Sequence, residues 1–163
     1  MSVLNPGAAF TQSVLGAAVK KTQTIAAETR DLYTVSGLVL VTGIVGKVTT
    51  AMTVANTVKL VSNPTTGTSS DLVAATDLGT TDTPAGNLLS ISGAPTGSIV
   101  SGIGAVGKYP ISKVSTDYLG AVDGIYVAAG IIQAVVTGTS PDGVIDWWIT
   151  YVPIETGAAI TAA

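Results

Sequence analysis

Few side chains in this 163-residue sequence are able to do chemistry, because it contains no His and no Cys. Without His the commonest general base near neutral pH is missing, together with every His-bearing zinc site and every Ser-His-Asp triad. Without Cys there are no disulfides, thiolate nucleophiles or Cys-based metal sites, and the redox compartment is left open. Carboxylates remain. Asp71, Asp77, Asp82, Asp117, Asp123, Asp142, Asp146 and Glu155 are the candidates for paired acid–base hydrolysis, and none stands at an informative spacing from another. Asp71, Asp77, Asp82 and Asp142 fall in or beside turn clusters, where Asp caps its own backbone. Asp146 sits inside an apolar run between Ile145 and Trp147, which suits an edge charge or an interface ion pair. Asp142 and Asp146 form the best remaining pair for a hydrolase. Asp77 and Asp82, with Thr80 and Thr81, offer oxygen ligands to calcium but lack EF-hand spacing, and acidic turn loops of this kind ordinarily hold water.

The segment SGIGAVGKYP matches G-x-G-x-x-G through Gly102, Gly104 and Gly107, and nearly matches a phosphate loop ending at Lys108. A phosphate cradle needs a helix to follow, whereas Pro110 disfavours helix at Tyr109 and KYPISKV continues in strand composition. Tyr109 also stands where the magnesium-binding Ser or Thr would be, so a Gly-rich loop or bulge is the reading. Trp147, Trp148 and Tyr151 suggest a sugar-stacking platform, although core packing or subunit contact is the commoner use of aromatics on a hydrophobic strand. Neither a cofactor nor a metal is expected.

The elements that must position these residues are β-strands. From Asp31 onward, Val, Ile, Thr and Tyr runs alternate with Gly, Pro, Asn and Ser clusters. LVLVTGIVGKVTT begins with residues 38–41 apolar on both faces, as in a central strand covered on both sides. In VANTVKLV, Val58 and Leu60 share one face and Thr57 and Lys59 the other. DLVAAT and NLLSIS supply two more short strands. GIYVAAGIIQAVVTGT and VIDWWITYVPIE, joined by SPDG, predict a C-terminal hairpin. In its second strand Ile145, Trp147, Ile149 and Tyr151 point one way, and Asp146 and Trp148 the other, so one Trp faces the core and the other a partner or loop. Residues 7–30 are Ala-rich without Pro, with Phe10, Val14 and Leu15 at helical spacing, and read as an extended or partly helical arm ordered by neighbouring chains. The expected organisation is an arm over residues 1–30, a β-domain over 31–155 and a flexible, unanchored tail over 156–163. About seven or eight strands at roughly ten-residue spacing, with no α/β alternation, predict an all-β sandwich or jelly-roll-like barrel.

The chain is 47% hydrophobic and only 10% charged, so it has too few charges to solvate a free monomer's exterior and is expected to bury surface against other chains. Seven basic against ten acidic residues give a net charge of −3, the wrong sign for a nucleic-acid partner. Residues 1–16 lack the basic and continuous apolar regions of a signal peptide, and residues 32–48 are too short and too rich in Thr and Gly for a membrane span.

LYTVSGLVLVTGIVGKVTT, TVKLVSNPTTGTSSDL, LLSISGAP and WWITYVPIE together resemble small β-rich virion proteins of tailed bacteriophages, in particular head decoration or cement proteins. The resemblance spans roughly residues 25–155 and carries no catalytic residue across. It implies a non-enzymatic homotrimer on the outer capsid surface, made in the host bacterial cytoplasm, with the major capsid protein and copies of itself as partners. The alternative is a tail- or fibre-associated structural protein or a host-glycan-binding module. Candidate anchors are Phe10, Val14 and Leu15 for arm docking, Leu38 and Leu40 for the core or trimer centre, and Trp147, Trp148 and Tyr151 for an interface.

Overall fold

The computed structural model describes residues 16–91, the backbone of residues 99–101, and residues 124–163. These residues are all-β with no helix, hence none long and apolar enough to cross a membrane. Eleven strands follow in chain order: β1 (Ala17–Thr24), β2 (Thr29–Ser36), β3 (Val39–Thr50), β4 (Asn56–Pro64), β5 (Ser70–Asp77), β6 (Leu88–Ile91), β7 (Ile99–Ser101), β8 (Ile125–Val127), β9 (Gly130–Gly138), β10 (Val144–Pro153) and β11 (Ala159–Ala162). They form two sheets, a six-stranded one ordered β1-β10-β3-β6-β7 with β8 also on β3, and a five-stranded one ordered β11-β2-β9-β4-β5. Every pairing is antiparallel.

One buried core lies between the sheets in a sandwich-like arrangement. The six-stranded sheet contributes Val39, Val41, Ile44, Val48, Leu89, Ile145, Trp147 and Ile149, and the five-stranded sheet Leu32, Val35, Val58, Leu60, Val73, Ile132 and Ile160. The period-two pattern read from the sequence produces this directly, since alternate residues of a strand project to one face. A bulge between Asp31 and Tyr33 breaks the alternation in β2, and the consecutive Leu32 and Tyr33 are both buried there.

Three expectations change. SPDG does not close a hairpin: β9 lies in the five-stranded sheet and β10 in the other, so residues 139–143 cross between the sheets. The links β1–β2, β3–β4 and β5–β6 cross at the same end, where Ile25 N–H donates to the Gly143 carbonyl and Met52 pairs with Thr83. A turn inside one sheet satisfies only its own two strands, whereas here the β1–β2 crossing bonds to the β9–β10 crossing and the β3–β4 crossing to the β5–β6 crossing. The expected arm divides: residues 17–24 are extended and form the edge strand β1 along β10, while Phe10, Val14 and Leu15 lie outside the described residues. The expected free tail is anchored, because β11 pairs with β2 and buries Ile160.

Candidate interaction surface

The outward face of the six-stranded sheet can be built row by row from the register. Across β1, β10, β3 and β6 one row reads Lys20, Trp148, Val45, Ser90, and the next Thr22, Asp146, Lys47, Leu88. Nearer the opposite end of β3, Val152, Leu40 and Tyr126 form a third row over β10, β3 and β8. Directly opposed residues of antiparallel strands share a face, so these rows form one surface. Thr42 and Thr150 lie between the rows and are joined by a hydrogen bond of 3.0 Å.

Lys20 links two of the rows. Its Nζ lies 2.6 Å from Asp146 Oδ2 and 5.4 Å from the centre of the Trp148 ring, so the cation caps an aromatic face and neutralises the carboxylate together. Thr22 Oγ1 donates to Asp146 Oδ1. The hydrogen bonds from Lys20 and Thr22, aided by the positive charges of Lys20 and Lys47, hold the Asp146 carboxyl below its usual range against a smaller opposing effect of burial.

The expected anchors separate by face. Trp147 is 1% exposed and Tyr151 7%, so both serve the protein's own core. Trp147 Nε1 donates to the buried Gln23 Oε1 at 2.8 Å. Trp148 is half-buried on the outward face, Leu40 is buried beside Tyr126, and Leu38 is half-buried just before β3. A stacking platform of Trp147, Trp148 and Tyr151 is therefore not assembled. Among the described residues the large hydrophobic groups that remain exposed are Tyr126, Val45 and Ile154, which the sequence pattern does not single out. Nothing in the pattern around Tyr126 distinguishes it from any other strand aromatic, and its exposure follows from the placement of β8 at the margin of its sheet.

Three of the other carboxylates weighed for catalysis, Asp142, Asp77 and Glu155, accept hydrogen bonds from backbone amides. Asp142 receives hydrogen bonds from Thr53 N–H (2.8 Å), Thr53 Oγ1 (2.7 Å) and Val54 N–H (3.0 Å), clamping the β3–β4 link from 89 residues away. Asp77 accepts from the Gly79 and Thr80 amides, the local capping expected of it. Thr53 for Asp142, and Thr80 for Asp77, lower the carboxyl pKa through side-chain hydrogen bonds, with backbone amides adding to the shift. Glu155 Oε2 accepts from Leu38 N–H at 2.9 Å at the opposite end of the molecule. Asp142 and Asp146 thus serve different networks. Among the described residues no three acidic side chains converge on a metal position, while Asp117, Asp123 and the Gly102–Gly104–Gly107 segment lie outside them.

Compared with protein-family models, with curated proteins and with solved structures, the chain matches none.

Proposed function

We propose that this protein is a non-enzymatic structural component of a bacteriophage virion, a decoration or cement protein that binds the outer capsid surface as a homotrimer. The observation that carries the reading is the outward face of the six-stranded sheet. In a chain with 10% charged residues, that face presents Trp148, Val45, Leu88 and Tyr126 around the Lys20–Asp146 pair and Lys47. A largely apolar surface with few charges favours burial against protein over solvation. Asp142 and Asp146, the pair weighed for hydrolysis, accept their hydrogen bonds in separate networks rather than converging on one position. We read the two sheets as a jelly-roll-like sandwich, a shape suited to lying on a shell.

Cementing works by mass action: contacts made only on the assembled shell stabilise that state, and many weak contacts add through multivalency. The first test is solution mass by light scattering, where a trimer near three times 16.2 kDa is expected and a monomer at micromolar concentration removes the trimer from the proposal. The second adds the protein to expanded capsids and measures their thermal opening. A higher opening temperature supports the reading, and an unchanged one with no co-sedimentation overturns it. Removing residues 1–15, which keeps β1 whole, is expected to weaken attachment.

A further inference from the structure

We infer that copies of this chain meet one another around the threefold axis of the trimer through one end of the outward face, the end farthest from the Met52–Thr83 crossing. This rests on the homotrimer reading above and adds to it the surface that the copies share.

The surface follows from the register. β8, β3 and β10 bring Tyr126, Leu40 and Val152 into one row. Just past β10, Ile154 N–H still donates to the Leu38 carbonyl at 3.0 Å, so the ladder continues and alternation puts Ile154 and Leu38 in the next row of the same face. Tyr126 is 67% exposed and Ile154 47%, the two most exposed large hydrophobic groups among the described residues. Leu40 and half-buried Val152 connect them. These rows hold only hydrophobic side chains. The carboxylate at their margin, Glu155, is tied back by Leu38 N–H, which donates to its Oε2 at 2.9 Å.

Charge selects the occupant. Around a threefold axis identical residues of three copies approach one another, so any charge near the axis meets its own sign. The rows nearer the crossing carry Lys20 and Lys47 against Asp146 alone, and Lys47 is exposed with no ion pair among the described residues. Copies meeting through those rows would gather uncompensated Lys47 cations, whereas a different surface bearing a carboxylate would neutralise them. The rows of Tyr126 and Ile154 are the part of the face that meets copies of itself with no like-charge contact, and the charged rows are left to the shell. The outer face of the other sheet is no rival, because its polar groups are already engaged: Gln133 Nε2 donates to Asp31 Oδ1, Lys59 pairs with Asp71, and the hydroxyls of Thr57 and Thr137 share a hydrogen bond.

The test is light scattering of the full chain across a dilution series. Tyr126→Glu and Ile154→Glu are each expected to raise the concentration at which half of the trimer dissociates by about tenfold or more, because each brings carboxylates together at the axis. Tyr126→Phe and Lys47→Glu are expected to leave the mass unchanged, and added salt is expected not to dissociate an apolar contact. Both substituted positions are exposed, and an unchanged near-ultraviolet circular dichroism of buried Trp147 will confirm that the variants fold. A trimer indifferent to both Glu substitutions overturns the inference while the homotrimer reading stands, and leaves these rows to the shell or to residues 1–15. A trimer dissolved by Lys47→Glu or by salt overturns it as well, and a wild-type monomer removes the trimer together with its contact.

Discussion

Single residues here do structural work with groups that look chemical. Gln23 and Trp147 are buried and joined by one hydrogen bond, so Gln23→Ala leaves an indole N–H without a partner and is expected to cost about 1–3 kcal/mol in denaturant unfolding. Trp147→Phe with Gln23→Leu, which removes both polar partners, is expected to cost less than the sum of the single changes. The depressed carboxyls give a pH dependence of definite sign. Asp77, Asp142 and Asp146 have folded pKa values below their unfolded ones, so their contribution is complete above the unfolded value of about 3.9 and is lost as pH falls through the folded values. Melting temperature is therefore expected to be flat in these groups from neutrality to about pH 5 and to fall below about pH 4. Asp142→Asn is expected to lower the neutral-pH melting temperature and flatten its acid fall, and an unchanged acid profile would show that the Thr53 clamp contributes nothing.

At the scale of elements, stability depends on the crossings between sheets. Gly143 adopts φ +101° with Met52 Cγ 2.4 Å from where a Cβ would stand, so Gly143→Ala is expected to cost about 1–3 kcal/mol by strain and to shift the packing around Met52. The last strand is a second case. Ile160 on β11 is buried in the common core, and Ile160→Ala is expected to cost about 2–5 kcal/mol in chemical denaturation, where a free tail would show no change. The edge strand β1 sets where the chain can be cut. Deleting residues 1–30 removes Gln23, Lys20 and one of the two pairing partners of β10, whereas a cut before Gly16 leaves them in place. Circular dichroism melts of the two truncations are expected to show a cooperative transition for the shorter deletion alone.

For the whole molecule the decisive fact is one core shared by two sheets, with seven of the ten links between consecutive strands joining one sheet to the other. The ends are fastened by carboxylates, Asp142 to Thr53 and Val54 at one and Glu155 to Leu38 at the other. Lys21, on the core-facing side of edge strand β1, reaches the main-chain oxygen of Ala163 beyond β11, so the two adjacent sheet edges are joined by a charged side chain. An inward-directed Lys on an edge also discourages further strand addition there. Growth of an assembly through β1 by added strands is thereby disfavoured relative to contact through the outward face, and a Lys21→Val variant is expected to aggregate more readily in light-scattering assays.

The sequence by itself determined the strand content, because period-two alternation and turn residues are local and leave no other use for runs such as those of β3, β4 and β10. It also determined which face of β10 is buried, since Ile145, Trp147, Ile149 and Tyr151 can be hidden together only by facing one way. Partner choice it did not determine. SPDG is compatible with a hairpin and with a crossing, and the crossing is seen only in the tertiary structure, where Asp142 accepts from the Thr53 and Val54 amides, 89 and 88 residues away. The separation of Asp142 from Asp146, the anchoring of β11 and the exposure of Tyr126 have the same origin. Each depends on which strands become neighbours, and that is fixed by burial of the common core, a sum over distant residues that no local pattern carries.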